Sequence, residues 1–381
     1  MIGAHELRGQ LALAEDHIHL NNAGVGPLTR AGQEAMHRMA RLQSEQAFAA
    51  IEEIIDVYNG SRAAFGALVG APAENVSMMQ TCAAAISQVA LGLDYECGQE
   101  IVFCDQEYPS NAYPWYEAAR RHQLVPRLIT SEADFDLDLE KVLSAIGNKT
   151  KVVALSWVQY QSGTCSDLKT IKSECDRVGA WLVVDAIQGL GVIPFPEDAV
   201  MPDAICGGTH KWLCGPLGHG FLIMDEEKRA QLSPLLHGAI TYGTPEDLVE
   251  PGKAMRTDCG RFEPGNPLLW GAVAGAASIN VLLKIGIPAI HERAMALSNQ
   301  LMAGLQRCGG EFKGQTTAQR MSPIVSFSIP GKEMKECFQV LKEQKITGAY
   351  RAGGIRLAPH AFNTEAEIAK VVEIVQQWAQ S

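Results

Sequence analysis

The chain lacks the compact signatures of several simple roles. Its 381 residues contain no Cys-x-x-Cys pair and no His-Glu-x-x-His helix, although ten cysteines and ten histidines are present. Metal and redox motifs need ligands near enough in sequence to converge, so these dispersed residues predict buried thiols in a reducing compartment and no metal site. There is also no block of about five or more Lys or Arg. The balance of 32 basic against 43 acidic residues gives a net charge of −11. A chain of that sign lacks the electrostatic footprint of a nucleic-acid binder. No apolar run approaches the roughly 18 residues of a membrane span. Even Ala83 to Leu93 is interrupted by Ser87 and Gln88. Met1 to Arg8 carries His5, Glu6 and Arg8 and leads into no signal-like apolar core, which predicts a cytoplasmic location. Apolar residues at 47% and charged residues at 20% exclude a disordered or collagen-like chain.

What is present is an alternating pattern. Helical spacing runs from about Thr29 to Val69, through Ala35, Met36, Met39, Leu42, Phe48, Ile51, Ile55 and Phe65. Short apolar runs then alternate with amphipathic stretches. The runs are Val76–Met79, Ile101–Cys104, Val125–Ile129, Val152–Trp157, Trp181–Val184, Ala204–Cys206 and Phe221–Met224. Strands apolar throughout and separated by helices describe an α/β fold with a largely parallel sheet covered on both faces. A Pro- and Gly-rich connection spans Pro234 to Pro267, helices return over Leu268–Ile285 and Pro288–Leu305, and a smaller α+β unit follows. Thr364 with Glu367 forms a capping box for its last helix. The expected division is a large domain at 15–255, with 1–14 and 256–381 forming the small one.

In open α/β sheets ligands bind beyond the carboxyl ends of the strands, so the polar residues there carry the chemistry. The run Trp181–Val184 leads straight into Asp185, then Gln188. A carboxylate there is costly to bury unless it meets a cation. Ala204–Cys206 opens into Gly207-Gly208-Thr209-His210-Lys211-Trp212-Leu213-Cys214-Gly215-Pro216. A lysine amid glycines and bulky apolar residues loses hydration, and a lowered pKa makes it an amine nucleophile toward carbonyls. Together, an amine to hold an aldehyde and a carboxylate to keep a pyridine nitrogen protonated are what pyridoxal 5'-phosphate requires.

The spacing of Asp185-x-x-Gln188 and Thr209-His210-Lys211-x-x-x-Gly215-Pro216-x-Gly218 resembles the class V aminotransferase and cysteine desulfurase family of fold-type I pyridoxal phosphate enzymes. The likeness extends from Leu20-Asn21-Asn22-Ala23-Gly24, through Arg261-Phe262-Glu263-Pro264-Gly265-Asn266-Pro267, to Arg356-Leu357-Ala358-Pro359. It implies a large domain with a mainly parallel seven-stranded sheet between helices, plus a small α+β C-terminal domain. It also implies Lys211 as the catalytic lysine, Asp185 at the pyridine nitrogen and Gln188 at the phenolic oxygen. Thr209 and His210 would approach the phosphate, as would backbone N–H groups of Thr81, Cys82 and Ala83 at a helix start. Tyr108 would stack on the ring and Asn111 would meet its polar edge, since Tyr108-Pro109-Ser110-Asn111 is similar to a kynureninase pattern. Trp157 stands where desulfurases have an Asn. Arg356, assisted by Arg351, would clamp the α-carboxylate of an amino-acid substrate. Asn266 would reach the phosphate of a neighbouring subunit, which implies a homodimer.

Desulfurases carry a nucleophilic cysteine on a loop between the positions of Arg351 and Arg356, and here that interval is only Ala352-Gly353-Gly354-Ile355. Cys337 is the nearest thiol and lies in an expected helix. Persulfide-forming desulfuration is therefore disfavoured. Elimination at a carbon–sulfur bond, transamination and epimerisation remain. The loop Asn21–Pro27 resembles carbon-sulfur lyases and isopenicillin N epimerase-like members, and the reading adopted is the lyase.

Overall fold

The seven expected apolar runs pair into one sheet, and all of them but Val125–Ile129 are buried along most of their length. The structure is a computed structural model that describes residues 4–132, 135–196, 201–243, 250, 252–266, 269–314 and 321–381. In chain order its strands are β1 (Ile18–His19), β2 (Val76–Met79), β3 (Glu100–Cys104), β4 (Val125–Ile129), β5 (Thr150–Ser156), β6 (Trp181–Asp185), β7 (Ala204–Gly208), β8 (Gly220–Ile223), β9 (Glu311–Phe312), β10 (Val325–Ser328), β11 (Ile346–Thr347), β12 (Ala349–Arg351) and β13 (Gly354–Leu357). The large sheet has the order β2-β8-β7-β6-β5-β3-β4. Only β8 runs against its neighbours, pairing antiparallel with both β2 and β7. β2 and β4 are the edge strands, and the first four residues of β4 are exposed. The fold is thus α/β, with a mainly parallel seven-stranded sheet.

Helices cover both faces. Val102, Val153, Leu155, Leu182 and Val184 point into the core on one side, and Ile101, Phe103, Val152, Ala154 and Val183 into the core on the other. This alternation is the two-residue period of strands buried on both sides. Leu7 and Leu11 join the first of these cores, as do Ala272 and Ile279 of the helix Leu269–Ile285. A second, antiparallel sheet of order β12-β13-β10-β9 is backed by the helices Met334–Glu343 and Glu365–Gln380, and this smaller unit has its own core around Phe327, Leu341 and Val371. The capping box at Thr364 and Glu367 is formed in both directions.

Three expectations shift. The long helix from Thr29 is two helices, Arg30–Gln46 and Ile51–Ala67, parted by a 3-10 turn where Ala47 adopts φ 47°. The break turns Phe48 outward, so it is exposed instead of joining the apolar face. The connection Pro234–Pro267 carries the short helix Ala239–Tyr242 and a 3-10 turn at Cys259–Phe262; residues 244–249, 251, 267 and 268 lie outside the described residues. The small unit gains β9 and β12, too short for a periodicity to announce. Among the described residues no single helix is long and apolar enough to cross a membrane.

Candidate active site

The carboxyl ends of five strands converge on one cavity of about 470 Å³. β6 delivers Asp185 and then Ile187 and Gln188, while β7 delivers His210 and Lys211. β2 leads to Thr81, Cys82 and Ala83, β3 to Tyr108 and Ser110, and β5 to Tyr160. The N-terminal loop adds Ala23, Gly24 and Val25, and the small sheet adds Arg351 and Arg356. Ten of the residues expected from sequence therefore meet here: Thr81, Cys82, Ala83, Tyr108, Asp185, Gln188, His210, Lys211, Arg351 and Arg356.

Lys211 is nearly buried and its pKa is lowered to about 8, chiefly by loss of hydration, with Asp185 opposing and Arg356 and Arg351 reinforcing. Its Nζ lies 5.6 Å from the centre of the Tyr108 ring and, among the described residues, has no hydrogen-bond or ion-pair partner. The backbone of Lys211 is covered by the N-terminal loop. Gly26 N–H donates to the His210 carbonyl at 2.8 Å, and a Cβ on Gly26 would stand 2.1 Å from the Lys211 carbonyl oxygen. Only glycine permits that approach.

Asp185 is buried at the end of β6, and burial raises its pKa. One oxygen, Oδ1, accepts from Ile187 N–H at 3.0 Å and from the Cys82 thiol at 3.4 Å. The other accepts no hydrogen bond from the described residues. The Cys82 thiol is pushed well above its ordinary pKa by burial and by the Asp185 charge, so it serves as a donor and not as a thiolate. Gln188 donates to the Ala23 carbonyl at 2.9 Å and accepts from Trp212 Nε1 at 2.9 Å, which leaves one amide N–H for a ligand.

Beside Asp185 is the start of the helix Cys82–Gly92. Thr81 caps it by accepting from Ala84 N–H at 3.0 Å. A Cβ on Gly220 would stand 2.6 Å from Cys82 N, so glycine there lets β8 pack directly beneath the helix start. At the other side Arg356 is buried, donates to the Tyr160 carbonyl at 2.6 Å and to Asn21 Oδ1 at 3.3 Å, and leaves its Nε unpartnered. Burial lowers its pKa to about 10, so it stays charged at neutral pH. Arg351 is exposed at the rim, with its guanidinium 5.6 Å from the Tyr160 ring centre.

Comparison with known proteins agrees with this geometry. The model of the family "Aminotransferase class-V" matches residues 27–368. The chain belongs to the class-V aminotransferase family. A probable cysteine desulfurase of Methanothermobacter thermautotrophicus is 25% identical over 98% of both chains. Among solved structures, the apo cysteine desulfurase of Thermococcus onnurineus superposes with a TM-score of 0.91 at 23% identity, over 100% of this chain and 99% of that one. The cystine C-S lyase C-DES, in complex with cysteine persulfide, superposes with a TM-score of 0.86 at 22% identity, over 95% and 98%.

As a class-V enzyme it uses pyridoxal phosphate, and the residues present fit that group. The cavity offers an unpaired amine, a carboxylate with one free oxygen, a helix start with open N–H groups and an arginine with an unused donor. Each is an unmet valence that a phosphorylated aldehyde with a carboxylate-bearing substrate would meet.

Three residues expected to hold the cofactor do not reach the cavity. Asn111 is fully buried, donating to Glu107 Oε2 at 2.7 Å and accepting from Trp115 Nε1 at 3.2 Å, and it does not line the cavity. The Thr209 hydroxyl donates to the Pro216 carbonyl at 2.6 Å and thereby closes the turn after Lys211. Asn266 is exposed, away from its own chain's cavity. Trp157 also points away, packed edge-on against Phe195 with its ring over Gly189. Two lining residues had no expected role: Tyr160, and Ser110, which stands within the Tyr108–Asn111 motif. The available signal for Tyr160 was positional: it stands four residues beyond the end of β5, as Tyr108 stands four beyond the end of β3.

Proposed function

We propose that this class-V enzyme is a carbon-sulfur β-lyase acting on a cysteine- or cystine-like amino acid in the cytoplasm. The observation that carries the reading is the hairpin β12–β13. Arg351 pairs with Gly354 across a turn of Ala352 and Gly353, at φ 45° and 74°, so no loop bearing a thiol projects from it. Among the described residues Cys82 is the only cysteine lining the cavity, and its thiol is committed to Asp185. Persulfide formation on the enzyme needs an accessible thiolate, and Cys82 is far from one. The fold shared with a cystine C-S lyase supports the same reading.

Pyridoxal phosphate, when bound, supplies an electron sink beside the substrate α-carbon. Lys211 would hold its aldehyde, Asp185 would keep a proton on the ring nitrogen, and Tyr108 would cover the ring face. Cys82 and Ala83 N–H, with the Thr81 hydroxyl, would hold the phosphate with His210 beside it, and Gln188 would donate to the phenolic oxygen. Arg356 would orient the α-carboxylate, with Arg351 at the rim. Once the substrate amine replaced it on the aldehyde, the freed Lys211 would take the α-proton, the bond from β-carbon to sulfur would break, and its electron pair would leave on sulfur. With water, cystine becomes pyruvate, ammonia and cysteine persulfide. We further propose a homodimer in which Asn266 serves the partner's site; Val25 and Leu217, exposed apolar residues near the cavity and the Lys211 turn, support a covering subunit.

The test is a product assay on the purified holoenzyme. L-Cystine should yield pyruvate and sulfane sulfur in equal amounts, and Lys211→Ala should abolish both that activity and the visible absorption of bound cofactor. Keto acid without sulfur release, or alanine as the product, would overturn the lyase reading. Protein that stays colourless with added cofactor would overturn the enzyme reading itself.

A further inference from the structure

Glu107 is a buried carboxylate that no cation among the described residues neutralises. Five donors converge on it. Oε1 accepts from Ser156 N–H at 2.9 Å, Gln159 Nε2 at 2.9 Å and the Cys104 thiol at 3.3 Å. Oε2 accepts from Asn111 Nδ2 at 2.7 Å and the Ser156 hydroxyl at 2.5 Å. Burial raises its pKa, and the hydrogen bonds from Ser156, Gln159 and Asn111 work in the opposite direction. Burying a carboxylate this way is costly, and an apolar residue would serve the core better if packing were its purpose.

Its neighbours indicate what the carboxylate organises. Glu107 precedes Tyr108, and Gln159 precedes Tyr160. The two tyrosine rings meet edge-to-face at 5.2 Å on the cavity wall, and the Tyr160 carbonyl anchors Arg356. Gln159 Oε1 is buried without a partner, so among the described residues the amide is held only from its Nε2 side, by Glu107 and the Cys104 sulfur. Asn111 is oriented likewise, with its donor to Glu107 and its acceptor to Trp115. The carboxylate therefore ties the ends of β3 and β5 to the first turn of the helix Pro109–His122.

We infer that Glu107 is a positioning residue: it fixes Tyr108 and Tyr160 against each other, and through the Tyr160 carbonyl it sets the Arg356 guanidinium that receives the substrate carboxylate. This rests on the proposed roles of Tyr108 and Arg356. A glutamine has a single acceptor oxygen. In Glu107→Gln its NH2 faces either the three donors around Oε1 or the Asn111 donor at Oε2, and one of Gln159 and Asn111 must turn.

The experiment uses the holoenzyme. Glu107→Gln should raise KM for the amino acid about tenfold, the equivalent of one misaligned charge-assisted hydrogen bond. It should also weaken cofactor affinity in apoprotein titrations, while Lys211 still produces the visible band. Ser156→Ala, which removes one donor and keeps the carboxylate, should shift both quantities in the same direction by less, and it answers the question if Glu107→Gln does not fold. The decisive readout is a double-mutant cycle with Arg356→Lys. If Glu107 acts by setting the Arg356 guanidinium through the Tyr160 carbonyl, its substitution adds little to the KM of the Arg356→Lys enzyme. Additive effects on KM, or a lowered melting temperature with KM and cofactor affinity unchanged, would overturn the inference. A wild-type protein without a Lys211-dependent band would instead overturn the proposed function.

Discussion

Two buried pairs of opposite charge in this molecule are built in contrary ways. Arg62 and Glu263 form a closed pair: Arg62 Nη1 and Nη2 reach the two carboxylate oxygens at 2.6 and 2.8 Å. Tyr58 Oη and Met78 N–H fill the remaining acceptor sites at 2.7 and 2.8 Å, and Arg62 also donates to the Val76 carbonyl. Lys211 and Asp185 are nearly as buried, yet neither satisfies the other. Lys211 has no partner among the described residues, and Asp185 keeps one oxygen free. The closed pair staples the helix Ile51–Ala67 and β2 to the loop before Asn266. The open pair holds its electrostatic cost in reserve for a ligand, as a preorganised site does.

Removing one member of each pair should separate the two kinds. Arg62→Ala leaves a buried carboxylate without its cation and is expected to cost about 3–5 kcal/mol of stability, measured by denaturant unfolding of the apoprotein. The paired replacement Arg62→Met with Glu263→Leu should recover most of that loss. A cost below about 1 kcal/mol, the size of a surface pair, would dissolve the contrast. Asp185→Asn should do the reverse, lowering kcat by about 10²–10³-fold while leaving the apoprotein as stable as before or more so. The sign follows from its raised pKa. The folded chain loses stability as pH rises through the Asp185 pKa, and the neutral amide removes that loss. A destabilised Asp185→Asn apoprotein at pH 7 would mean that the carboxylate has a structural partner after all.

The same distinction explains what the sequence made legible. Residues whose chemistry is exercised at a strand end, Asp185 after β6 and Lys211 after β7, stand out because a charged group follows a wholly apolar run. Helices and strands of ordinary length followed from periodicity, and the Thr364 capping box from its spacing. What escaped notice is which partner a polar side chain takes. Asn111 donates to Glu107 and accepts from Trp115, each four residues away, and Thr209 donates to the Pro216 carbonyl seven residues on. These partners are near in sequence, but residue type alone does not say that they are taken in preference to a ligand. Glu107 itself looks like an ordinary surface acid, because its five donors come from three separate segments. The kink at Ala47 is equally silent, since alanine gives no warning of a left-handed backbone.

The smallest effect tests the open pair most directly, because it reads the Lys211 amine without any substrate. Capture of an aldehyde needs the neutral amine, so the rate at which apoprotein takes up pyridoxal phosphate should follow the neutral fraction of Lys211. Below the Lys211 pKa of about 8 that rate should rise about tenfold per pH unit, and above it the rate should level off, well short of the ordinary lysine value of 10.5. Asp185→Asn removes the charge that raises this pKa and should move the midpoint down. Arg351→Ala removes a charge that lowers it and should move the midpoint up by a fraction of a unit, since Arg351 is exposed and screened. Between about 8 and 10.5 the unfolded chain holds a proton that the folded one has released, so apoprotein stability should also gain from Lys211 as pH rises across that window. Lys211→Met should erase that contribution. An uptake midpoint near 10, insensitive to Asp185 and Arg351, would place the amine in solvent and leave the molecule with no open pair to contrast with the closed one.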